Sequence, residues 1–84
     1  MTDGPRIEPD YKALSKSERR RLLVQWESYR ATWMQTLSDL EAIAASRRRQ
    51  GTTAGDVLAQ SMSEARGFLA KAERQIKRIQ ECGR

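Results

Sequence analysis

The chain has 84 residues, enough for one domain and too few for a large enclosed core. Sixteen basic residues, twelve of them arginine, outnumber eleven acidic ones and give a net charge of +5. That balance favours acidic partners, whether nucleic acid or an acidic protein face. Histidine is absent and Cys82 is the sole cysteine, which excludes imidazole general bases, most zinc sites and an intrachain disulfide.

Residues 1–14 form the first piece. Gly4, Pro5 and Pro9 sit among Asp3, Glu8 and Asp10, and each proline pushes the residue before it out of the helical region. The reading is an extended or flexible acidic arm, with room for one helical turn at Tyr11 to Leu14. Ile7, Tyr11 and Leu14 are the residues expected to lie back on the body. The arm has no apolar h-region, so no secretory leader is expected, and no apolar run reaches the ~20 residues that span a bilayer. With a lone cysteine suited to a reducing compartment, the expected location is the cytoplasm.

A capping box opens the second piece: Ser15 accepts from the backbone at Glu18, and Glu18 reaches back. From there a helix is predicted over about 15–50. At 100° per residue, Leu22, Trp26, Tyr29, Trp33, Leu37, Leu40 and Ala44 fall within about 80° of one another. Arg47, Arg48 and Arg49 end this helix, where positive charge suits the dipole.

Gly51 to Gly55 form a loop. Gly51 stands where a left-handed glycine ends a helix, and Thr53 with Asp56 three residues on is a second capping signature. A helix over about 56–82 follows, closed by Gly83. Its apolar positions Leu58, Met62, Ala65, Leu69, Ala72, Ile76 and Ile79 alternate in gaps of four and three, the a/d pattern of a helix packed lengthwise on another. So short a loop makes the two helices antiparallel neighbours. Residues equidistant from the turn then face each other: Leu40 meets Ala65, Leu37 meets Leu69, Trp33 meets Ala72 and Ile76, and Trp26 meets Ile79. Large meets small, as a packed seam requires.

The fold expected is therefore an all-α antiparallel helical hairpin over residues 15–84. Leu23, Met34, Val57 and Phe68 fall outside the narrow seam. Two helices bury only one stripe each, and these extra apolar positions want a second partner. The simplest is another copy, giving a homodimeric four-helix bundle.

Two sets of residues carry candidate function. Lys16 with Arg19, Arg20 and Arg21, then Arg47, Arg48 and Arg49, and then Lys71, Arg74, Lys77 and Arg78 form three basic patches able to meet an anionic partner. Trp26, Tyr29, Trp33, Met34 and Phe68 are candidate interface anchors, since aromatic residues dominate binding hot spots. No paired carboxylates, phosphate-cradling glycine loop or metal-ligand spacing accompanies them. Arg30 and Arg66 lie near the seam without the polar partners a buried catalytic arginine needs. The expectation is a protein that is not an enzyme, with no cofactor and no small-molecule substrate. It would act as an adaptor, inhibitor or regulator by contact with another protein, or alternatively as a nucleic-acid binder using the arginine patches.

Overall fold

The computed structural model describes residues 4–51 and 55–82. A 3-10 turn at Tyr11–Ala13 precedes two helices, α1 (Lys16–Arg49) and α2 (Asp56–Cys82). At ~1.5 Å per residue, the 34 residues of α1 account for most of the 53 Å length of a rod only 20 by 16 Å across. Its radius of gyration, 16.3 Å, exceeds the ~12 Å expected of a compact chain this long. Cross-helix pairs run in opposite order along the two helices. Glu41 lies 4.0 Å from Arg66, Trp33 stacks on Phe68, and Leu22 and Trp26 share a cluster with Ile76 and Ile79. The hairpin is antiparallel, as the heptad pattern and short loop require.

The helix ends follow the sequence chemistry. The Ser15 hydroxyl accepts from the Glu18 N–H and donates to the Glu18 carboxylate, both at 3.2 Å. Glu18 therefore reaches back to the cap's hydroxyl. At the other end Gly51 takes φ +80°, and its N–H donates to the Arg48 carbonyl at 3.1 Å, a left-handed stop that glycine adopts without a Cβ penalty. The expected Thr53 cap and the Gly83 stop lie outside the described residues. Ala59 N–H donates to the Gly55 carbonyl at 3.1 Å, so α2 begins directly after Gly55, with Asp56 in its first turn to complement the dipole.

Every predicted seam position is buried or half-buried. On α2, Leu58, Ala65, Ala72, Ile76 and Ile79 are buried, with Met62 and Leu69 half-buried. On α1, Leu22, Trp26 and Ala44 are buried, while Tyr29, Trp33, Leu37 and Leu40 are half-buried. Burial is uneven along the rod. The main cluster joins Tyr11, Leu22, Trp26, Ala72, Ile76 and Ile79, with Leu14, Leu23, Tyr29 and Cys82 packed against it. The core thus sits at the open end, away from the loop, and draws on the arm as a third component.

Two expectations change. Trp33 stacks on Phe68, with ring centroids 4.5 Å apart, and it is Trp26 that shares the buried cluster with Ala72 and Ile76. Phe68 is consequently half-buried by its own chain. Ile7 does not lie back on the body; it is 45% exposed, and its neighbour Arg6 is exposed too. Cys82 ends α2, as the sequence places it, and packs against the main cluster.

Ala72 is fully enclosed beside the largest side chain in the core. Ala72→Leu should overpack this layer and destabilise the fold by about 1–3 kcal/mol. A thermal melt should show Tm lowered by at least about 4 °C; an unchanged melt would contradict the layer described.

Candidate functional site

The open end is where the chain concentrates its specific contacts. Asp10 starts the 3-10 turn, its carboxylate accepting from the Lys12 N–H at 3.0 Å. The turn swings Tyr11 inward until only 1% of it is exposed. Its hydroxyl donates to Gln75 Oε1 at 2.6 Å, so the one buried polar residue of α2 is satisfied by a residue 64 positions away.

Two arginines fasten the arm by its backbone. Arg78 lies over the Tyr11 ring, 5.0 Å from its centroid, within cation–π range. Its Nη2 donates to the carbonyls of Pro9 (2.9 Å) and Glu8 (3.2 Å), and its Nη1 to Gln75 Oε1 (3.3 Å). Arg19 Nη1 donates to the carbonyls of Leu14 (2.6 Å) and Tyr11 (3.3 Å). From Arg78 on α2 the arm crosses to α1. There Arg6, paired with Glu8, shares a hollow with Glu18, Arg21, Leu22 and Gln25, and Gly4 lies against the Tyr29 ring. A Cβ on Gly4 would stand 3.1 Å from that ring, and its φ of +90° suits glycine alone.

The basic patches are therefore divided. Arg19 and Arg78 direct their donors to the arm. Lys16, Arg19 and Arg20 line a shallow groove with Leu23, Ile79 and Gln80, whereas Arg21 faces the hollow on the arm's side. Arg74 and Lys77 are exposed and Lys71 is half-buried. Arg47, Arg48 and Arg49 are exposed in the last turn of α1, at the opposite end of the rod. Burial of Arg19 was visible in principle. At 100° per residue it falls on the same stripe as Leu22 and Trp26, unlike Arg20 and Arg21. Gln75 also had a signal. Ser61, Phe68, Gln75 and Cys82 recur every seven residues beside the a/d seam and are all at least half-buried.

The anchors run as an aromatic column. Tyr29 meets Trp26 edge-on at 5.4 Å and Trp33 at 6.2 Å, and Trp33 stacks on Phe68. Trp26 has no accessible surface, so contact with anything outside falls to Tyr29, Trp33 and Phe68, all half-buried, and to Met34, which is 55% exposed. Trp26 Nε1 and Tyr29 Oη are buried with no hydrogen-bond partner among the described residues. No cluster of three or more His, Cys, Asp or Glu suited to a metal occurs among the described residues, and none of their helices is long and apolar enough to cross a membrane. No family model matches the chain, and comparisons with curated proteins and with solved structures gave no match.

Two conservative substitutions separate the tyrosines. Tyr11→Phe removes the donor to buried Gln75 and should cost about 1–3 kcal/mol. Tyr29→Phe removes a hydroxyl with no described partner and should leave Tm unchanged or raise it. Urea titration of both variants checks the contrast, and equal losses would contradict it. Arg78→Lys keeps the charge but not the planar fork that spans three acceptors; it should lower stability nearly as far as Tyr11→Phe, read in the same titration.

Proposed function

We propose that this chain is a non-enzymatic binding protein that presents a helical surface to another protein, as an adaptor, inhibitor or regulator. One observation carries the reading: Tyr29, Trp33 and Phe68 form a half-buried aromatic column that remains partly accessible, with exposed Met34 next to Trp33 in α1. Rigid aromatic groups flanked by methionine supply contact area at low entropic cost, and such residues concentrate binding energy. Val24, Ile43 and Val57 are exposed as well, Val57 by 79%. These exposed apolar side chains, away from the seam, support a second reading, pairing of two copies into a four-helix bundle. The cytoplasm is the compartment that suits such a protein.

A nucleic-acid reading rests on a different observation. The groove lined by Lys16, Arg19, Arg20, Leu23, Ile79 and Gln80 has three basic residues and no carboxylate in its lining. Phosphate contacts release counterions and weaken steeply with salt, whereas aromatic protein contacts do not.

Affinity capture with the tagged full-length chain from an extract of the source cells, with and without nuclease, distinguishes the two. The expected result is a protein that survives nuclease and moderate salt. It should be lost with Met34→Asp and kept when Arg47, Arg48 and Arg49 are replaced by serine. Loss of every partner on nuclease treatment would overturn the protein-binding reading in favour of nucleic acid.

A further inference from the structure

We infer that the open end of the hairpin is a peptide-recognition site for a tyrosine-bearing extended segment of a partner protein, and that the arm is its built-in competitor. The contacts that hold the arm are addressed almost wholly to features any such segment carries. Arg78 and Arg19 between them engage four backbone carbonyls, those of Glu8, Pro9, Tyr11 and Leu14. Among the described residues of the arm only Tyr11 is fully buried, its ring under the Arg78 guanidinium and its hydroxyl reaching Gln75. Ile7, Pro9, Asp10, Lys12 and Ala13 are exposed, so their identities matter little to the fit.

The acceptor is built on the two helices. Gln75 is buried, Arg78 is held beside it, and Trp26, Ile76 and Ile79 form the apolar floor of the same cluster. The carboxylates of the arm are not what is held: Glu8 pairs with Arg6 of the arm itself, and Asp10 shares a hollow with both Arg78 and Glu81. The preferred ligand is therefore a tyrosine within a segment whose backbone carbonyls are free to accept from Arg78 and Arg19. The arm joins α1 at Leu14, whose backbone is extended, next to Ser15, which stays with the helix as its cap.

A partner is favoured over a second copy. Exchanging arms between identical chains replaces each contact with the same contact, and association then has only its entropic cost to show for it. A partner segment that also touches the hairpin outside the arm's footprint gains contacts the arm does not make, and displaces it. This goes beyond the aromatic-column reading and does not depend on it.

The probe is a fluorescein-labelled synthetic peptide with the sequence of residues 4–14, titrated into the full-length chain by anisotropy. The wild-type arm competes at an effective concentration on the order of millimolar. The Tyr11→Ala chain, whose arm has lost its anchor, should therefore bind the peptide at least tenfold more tightly than wild type. A peptide with alanine in place of tyrosine should bind at least tenfold more weakly, and adding Arg78→Ala to the chain should abolish binding. Should circular dichroism show that Tyr11→Ala is not helical, the wild-type chain decides. The ring signals of its own Tyr11, in isotope-labelled chain, should then move saturably towards random-coil positions in an NMR titration with the unlabelled tyrosine peptide and not with the alanine peptide. No saturable binding at millimolar peptide, or equal binding of the two peptides, would overturn the site. Wild-type dimers formed by arm exchange, seen by sedimentation at the same concentrations, would overturn the assignment to a partner.

Discussion

A two-helix hairpin has one weak place, its open end. The loop holds the helices together at the other end, but nothing in the chain's connectivity holds residues near Leu22 against residues near Ile79. Each helix offers one apolar stripe, and a pair of stripes leaves a groove along both sides of their line of contact. In this protein the open end is closed by Tyr11. The ring fills the groove above Trp26, Ile76 and Ile79, its hydroxyl satisfies Gln75, and its face receives Arg78. The largest fully buried side chains of the molecule, Trp26 and Tyr11, are both in this one cluster. An aromatic side chain buries roughly 150–250 Å², so the pair contributes a large part of the apolar burial within this cluster.

The rest of the structure is arranged around that wedge. Small residues at Ala65 and Ala72 let the helices approach. Arginine serves as clamp because one planar guanidinium can serve several carbonyls at once. The surface ion pair of Glu41 with Arg66 is more than half exposed on both sides and contributes little at ordinary salt. In the middle of the rod Leu37, Leu40, Met62 and Leu69 are only half-buried, whereas Ala44 and Leu58 close the seam again towards the loop. The rod therefore combines a well-closed end with a middle section whose aromatic surface is partly open to contact.

Much of this was legible in the residues, for physical reasons that also mark where legibility stops. Helix periodicity, the Ser15 cap and the Gly51 stop are local, and local chemistry fixed both helices and their antiparallel pairing. The seven-residue recurrence of Phe68, Gln75 and Cys82 and the angular position of Arg19 were also present, as a flank of the seam and as part of a stripe. Reading Arg19, Arg20 and Arg21 as one patch, and Lys71, Arg74, Lys77 and Arg78 as another, treated charge as a property of sequence neighbours. The fold sorted them by direction, drawing Arg19 and Arg78 inward to the arm. The arm was hardest to place, because it has no periodicity and its anchor acts across 64 residues. Only the expectation that Tyr11 and Leu14 lie back on the body anticipated it, and Ile7, expected beside them, faces outward.

The central claim is that Tyr11 wedges the open end shut. Nuclear Overhauser contacts of the Tyr11 ring protons in the full-length chain test it most directly. The account requires cross-peaks from that ring to the side chains of Gln75, Arg78 and Ile76, together with ring chemical shifts displaced by the neighbouring aromatic groups. A Tyr11 ring with random-coil shifts and no contact to α2 would contradict it, and would leave the hairpin without the element on which its core is built.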